Sequence, residues 1–164
     1  MDERRIALLQ KMPIFGGVAE SILGLFLQRA SEVEVVRGAY FFREGAPGGS
    51  TFVIEDGSVS ILKEWNGCDY LLRELGQGDC FGEMALIDFG PRSASVLANE
   101  DSTAIELSAA SLREIRKADL AQFTLIHMNM ARELSRRLRL ADARLFRWQV
   151  EAEAAVADLR FHSV

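Results

Sequence analysis

The stretch Gly78-Asp79-Cys80-Phe81-Gly82-Glu83-Met84-Ala85-Leu86-Ile87-Asp88-Phe89-Gly90-Pro91-Arg92-Ser93-Ala94-Ser95-Val96-Leu97-Ala98 holds most of the chemistry in this chain. A glycine and an acid precede a short apolar stretch of helical character, and an arginine follows nine residues past the acid. These are the parts that hold an anionic oxygen. Amides at the start of a helical turn point at it, arginine offers a rigid fork of donors, and Gly82 lets backbone come close. A carboxylate makes no sense against the anion itself, so Glu83 is expected to accept from a neighbouring hydroxyl of the same ligand.

Outward from this segment the chain divides into three zones. From residue 31 to 108, β-branched and aromatic clusters are cut by glycine, and ten of the chain's 13 glycines fall there. That texture predicts many short strands and tight turns. Within it, Thr51 to Leu62 reads as a hairpin turning at Asp56-Gly57. Residues 1–30 read as short helices broken by Pro13, Gly16 and Gly17. Residues 109–164 contain no glycine or proline and read as helix, divided near Ala118-Asp119. The expected fold class is α+β: one domain over 1–164, an antiparallel β-roll of jelly-roll-like, barrel character flanked by N-terminal helices and a long C-terminal dimerisation helix.

That helix carries a second period. Leu134, Leu138, Ala141, Leu145, Trp148, Ala152, Ala155 and Leu159 alternate spacings of four and three, and Leu120, Thr124, His127 and Ala131 extend the frame backwards. Packing on the roll is one way to cover the stripe, but at ~1.5 Å per residue it outruns a roll. A homodimer through 120–159 is the expected solution. Met128, Met130 and Trp148 read as packing residues. Arg132, Arg136, Arg137, Arg139, Arg144 and Arg147 suggest a nucleic-acid patch or, more simply, a solvated coiled-coil flank. His127 and His162 read as a helix residue and a tail residue.

The segment 78–98 resembles the phosphate-binding cassette of the cyclic-nucleotide-binding domain family, with Phe81-Gly82-Glu83-Met84-Ala85-Leu86 followed by Pro91-Arg92-Ser93-Ala94-Ser95-Val96. Gly38, Phe42, Glu44-Gly45, Ile54, Gly57, Val59, Gly67, Leu75 and Gly78-Asp79 extend the resemblance into the preceding strands. By that resemblance, Arg92 pairs with a cyclic phosphate, Ser93 and the Ala94 amide add donors, and Glu83 with the Gly82 backbone holds the ribose 2′-hydroxyl. Phe81, Met84, Ala85, Val96 and Arg137 complete the expected ligand-binding set. Taken alone, Glu83 and Arg92 also read as a plain ion pair. The sequence departs from the family at the base. Positions near Glu133, Arg137 and Leu138 would face it, and leucine donates no hydrogen bond, so cyclic AMP and cyclic GMP both stay open.

Composition narrows the function classes. A net charge of −5 argues against a nucleic-acid binder that relies on overall charge. With 49% hydrophobic and 26% charged residues and no long apolar run, membrane insertion is not expected. The start lacks a secretory pattern, and Cys68 and Cys80 form neither metal spacing nor a disulfide framework, which suits a reducing cytoplasm. Cupin-type metal catalysis needs several histidines in the roll, and His127 and His162 lie outside it. No Ser-His-Asp or Cys-His set assembles there either. The expectation is therefore a sensor rather than an enzyme, without metal or cofactor. Family transcription regulators follow the long helix with a helix-turn-helix module; here the chain ends in helix, which reads as a sensor without a DNA-binding domain, acting through a protein effector or its own dimer geometry. The alternative is a degenerate roll that serves only as a dimerisation scaffold.

Overall fold

A computed structural model describes residues 3–161, with the side chains of the last helix described as far as Ala154. The seam positions Ala155 and Leu159, the tail residue His162 and the first two residues of the expected N-terminal helix lie outside the described side chains or residues.

The chain begins with Glu3–Gln10 (α1), a 3-10 turn at Pro13–Phe15, and Glu20–Leu27 (α2). Eight strands follow: Ser31–Val35 (β1), Tyr40–Phe42 (β2), Ser50–Asp56 (β3), Val59–Trp65 (β4), Cys68–Leu75 (β5), Cys80–Phe81 (β6), Ser95–Ala98 (β7) and Ser102–Ser108 (β8), with the short helix Glu83–Ile87 (α3) after β6. They form two open antiparallel sheets ordered β1-β8-β3-β6 and β2-β7-β4-β5, a β-roll. Their facing sides enclose a core of Phe52, Ile54, Val59, Ile61, Phe81 and Val96.

One expectation needs correction: Thr51 to Leu62 is not a hairpin. β3 and β4 are consecutive but enter different sheets, β3 pairing with β8 and β6, and β4 with β5 and β7. Asp56-Gly57 is thus a corner between sheets. The hairpin lies one strand later, where Trp65 pairs with Cys68 around Asn66-Gly67. Both turn residues have positive φ, 52° and 78°, which asparagine and glycine tolerate and a mirror-image two-residue turn requires.

The helices build a second core beneath the roll. Leu9, Phe15, Leu23, Phe26, Leu107, Ile115, Ile126 and Met130 bury there, with Phe15 edge-on to Phe26 at 5.2 Å. Ala109–Ala118 (α4) is capped by Ser108, whose Oγ accepts from Ser111 N. Asp119 breaks it with extended backbone and starts the next helix by accepting from Gln122 N at 3.0 Å. Leu120–Phe161 (α5) then runs 42 residues, about 63 Å. Its first half docks: Asn129 Nδ2 donates to Gly16 O at 2.9 Å, and Ala19 N donates to Gln122 Oε1 at 2.9 Å. Among the described residues no helix is long and apolar enough to cross a membrane.

Candidate functional site

The site begins at Gly82, the residue before α3. Its φ is +82°, and an added Cβ would stand 2.6 Å from Arg92 Nη1 and 3.2 Å from Ser50 O, so only glycine both makes the turn and leaves room for the arginine. α3 then presents the start of a helical turn toward an open cavity. Phe42, Ile61, Arg73, Phe81, Gly82, Glu83, Met84, Ala85, Arg92, Ser93, Ala94 and Val96 line it.

Arg92 is held at backbone and side chain. Its N–H donates to Ala46 O at 2.9 Å, and its carbonyl accepts from Gly45 N at 2.9 Å. The guanidinium donates through Nη1 to Ser50 O at 2.6 Å and Gly82 O at 3.2 Å, and through Nη2 to Ser50 Oγ at 3.1 Å. It lies 4.1 Å over the Phe42 ring, and Phe42 belongs to an aromatic cluster with Phe41, Phe52 and Phe81. Yet Arg92 is only 6% exposed, its Nε is buried without a hydrogen-bond partner, and among the described residues no carboxylate pairs with it. Burial pushes the guanidinium below its ordinary pKa. The guanidinium is thus a buried cation whose hydrogen-bond partners are neutral and whose Nε donor is unused, an arrangement chemically suited to an anion.

Glu83 behaves differently. It is buried, and its carboxylate receives Arg137 Nη1 from α5. The plain Glu83–Arg92 ion pair is therefore not formed; Glu83 pairs with Arg137. Arg137 also donates to Glu133 Oε1 at 2.9 Å and Cys80 O at 3.2 Å, and Arg136 holds Glu133 through both carboxylate oxygens at 2.9 and 2.6 Å. The Arg136 hydrogen bonds, with those of Arg137, keep Glu133 below the usual carboxylate range.

Nine of the expected residues thus meet at the cavity: Phe81, Gly82, Glu83, Met84, Ala85, Arg92, Ser93, Ala94 and Val96. Arg137 does not line it and stands behind Glu83. Leu138, expected to face the base, is 62% exposed and points away, because the inward face of α5 falls on Ile126, Asn129, Met130, Glu133 and Arg137. Sequence reading missed Phe42, Ile61 and Arg73 as cavity residues. Ser93 Oγ lies 3.6 Å from Met84 Sδ at the rim, and Lys63 Nζ donates to Ser93 O at 3.0 Å.

The family model described as Cyclic nucleotide-binding domain matches residues 32–119, more than half of the chain. The chain belongs to that family. Among family members, the "Cyclic AMP receptor protein" of Thermus thermophilus is 34% identical over 134 residues, covering 81% of this chain and 60% of that protein. The crystal structure of Thermus thermophilus Catabolite Activator Protein superposes with a TM-score of 0.72 at 32% identity, over 81% of this chain and 61% of the other. A "cGMP-dependent protein kinase" of Toxoplasma gondii is 38% identical over 93 residues, 57% of this chain but 9% of the kinase. The chain spans about 60% of the length of the receptor-type relative. These cyclic-nucleotide-binding relatives support a nucleotide-sensing regulatory module.

Proposed function

We propose that this protein binds a cyclic nucleotide, cyclic AMP or cyclic GMP, in the cavity between α3 and the second sheet, and passes occupancy to α5 as a regulatory rather than catalytic module. The carrying observation is Arg92, a guanidinium buried among carbonyls, a hydroxyl and an aromatic face, to which no carboxylate is bonded among the described residues. A cyclic phosphate brings a negative charge that can bond the guanidinium directly, whereas Glu106 acts on it only through space. Ser93 and the Ala94 amide stand next in sequence to add donors. Glu83, with the Gly82 carbonyl, is the acceptor for a ribose hydroxyl. A relative named for cyclic AMP and another named for cyclic GMP support the ligand class without choosing the base.

Transmission runs through Glu83. Its carboxylate is already bonded to Arg137 on α5, so a ribose hydroxyl arriving at Glu83 changes what Arg137 holds and biases how the helix sits. The exposed stripe Leu138, Leu145 and Trp148 supports a homodimer in which α5 pairs with its copy as a coiled coil.

Calorimetric titration with cyclic AMP and cyclic GMP tests the reading. Micromolar or tighter binding is expected, and Arg92→Ala should weaken it roughly thirty- to a thousand-fold, about 2–4 kcal/mol, with ligand-free melting little changed. No binding by either nucleotide, together with a stability loss in Arg92→Ala, would leave a dimerisation scaffold instead.

A further inference from the structure

β4 carries a lysine that the binding reading leaves unused. Lys63 follows Leu62, whose cross-strand partner Ser95 opens β7, so it stands beside the chain that leads from Arg92 into that strand. Lys63 Nζ donates to Ser93 O at 3.0 Å and pairs with Glu44 Oε1. Glu44 is held in turn: its N–H donates to Ser95 Oγ at 2.9 Å, and its Oε2 accepts from Glu64 N at 3.3 Å. The next residues grip Arg92, Gly45 N donating to Arg92 O and Arg92 N to Ala46 O. Residues 92–95 are thereby fixed by β4 and by the loop after β2.

Lys63 does not itself line the cavity, and its charge is matched by Glu44, which the Lys63 hydrogen bond and then the Glu64 N–H keep below the usual carboxylate range. What it controls is direction. The peptide bonds are trans, and in a trans peptide the carbonyl of one residue and the N–H of the next point to opposite sides. With the Ser93 carbonyl turned to Lys63, the Ala94 N–H faces away from the lysine. Ala94 is buried at 8% exposure and lines the cavity, and among the described residues its N–H has no hydrogen-bond partner. Backbone donors at buried positions are almost always paired, so this one lacks an acceptor.

Building on the cyclic-nucleotide reading, we propose that Lys63 is a positioning residue: by holding the Ser93 carbonyl, it aims the Ala94 N–H at one of the two free oxygens of the cyclic phosphate. It acts through this one peptide and not by touching the ligand. Ser93 is exposed, so without Lys63 water solvates its carbonyl in more than one orientation, and the Ala94 amide loses its aim.

Titrating the full chain with whichever of cyclic AMP and cyclic GMP binds more tightly, and with its Rp and Sp phosphorothioates, tests this. Each isomer carries sulfur, a poorer acceptor, in place of a different free oxygen. Lys63→Met should weaken the parent nucleotide about five- to twentyfold, the scale of one charge-assisted hydrogen bond misaligned. Its effect on the two isomers should differ: the one with sulfur toward Ala94 has already lost that contact and should weaken only about twofold further. Lys63→Arg, which keeps a donor for Ser93 O, should recover most of the affinity. Ligand-free melting should hardly move in either variant, since the Lys63–Glu44 pair is part-exposed. Equal losses for the parent and both isomers would make Lys63 a distant charge, and no loss would make its contact purely structural; either overturns the assignment while leaving the nucleotide site standing. Failure of wild type to bind either parent nucleotide overturns both.

Discussion

The two halves of α5 have opposite surroundings. The first half is fastened: Ile126 and Met130 are buried, Asn129 reaches the carbonyls of Ile14 and Gly16, and Glu133 and Arg137 tie into the cavity wall. The second half is bare, with Leu138, Leu140, Leu145, Phe146, Trp148 and Val150 each about half exposed or more. The fastened half can sense the cavity, because its polar residues share partners with the cassette. The described side chains of the bare half, as far as Ala154, are exposed and leave an apolar stripe to cover. On the proposed reading, signal in and signal out are divided along this one helix.

The strongest way to break this comparison is to cut the tie at the fastened end. The side chains of Glu83 and Arg137 are 5% and 16% exposed, and removing one partner of a buried pair strands the other. Arg137→Ala is expected to cost about 3–5 kcal/mol in urea-induced unfolding, and Glu83→Gln added to it should restore much of that. A cost under about 1 kcal/mol would mean that the pair is solvated and that the first half of α5 is held by apolar packing alone.

Legibility in the sequence follows the same division between local and cross-strand geometry. The cassette was readable because Phe81 to Val96 is one continuous run, and the break at Asp119 because an N-cap is a local feature. Phe42, Ile61 and Arg73 were not, since their common face is created by strand pairing across one sheet with a bulge at each end. The hairpin was misread for a related reason: Asp56-Gly57 and Asn66-Gly67 carry similar turn signals, and what separates them is that β3 finds its partner in β8, about fifty residues on. Asn-Gly between Leu62 and Tyr70-Leu71 was the stronger signal of the two. The inward face of α5 was obscured because half of it is polar.

A smaller effect tests the junction where the fastened half meets the roll. Cys80 is buried at 6% exposure, and desolvation, with the Glu83 charge adding to it, pushes its thiol up to about 11 from an ordinary 9.0. In the unfolded chain the thiol ionises at the lower value, so the stabilisation is complete below about pH 9 and is lost as pH rises through about 11. Stability should fall across that window by on the order of 2 kcal/mol, and Cys80→Ala should flatten the slope. The exposed Cys68 should react with a thiol reagent at pH 8 while Cys80 stays protected. Equal reactivity of the two thiols would show the Arg137 contact to be open.

The smallest effect on the folded monomer should come from the bare half, and there a null result in one measurement is as informative as a large one in another. Leu145 is 55% exposed and belongs to the four-three stripe, so in an isolated chain Leu145→Glu changes a solvated position and should shift unfolding by no more than about 0.5 kcal/mol. In a coiled-coil dimer the same carboxylate would enter the seam without a partner, and sedimentation should show the variant as monomer at concentrations where wild type is dimer. If α5 instead folded its stripe back onto its own roll, the order would reverse: monomer stability would drop and association would not change. A wild-type protein that stays monomeric at tens of micromolar would remove the dimer altogether, and the stripe would then need a different partner to explain why a 42-residue helix keeps leucine and tryptophan in water.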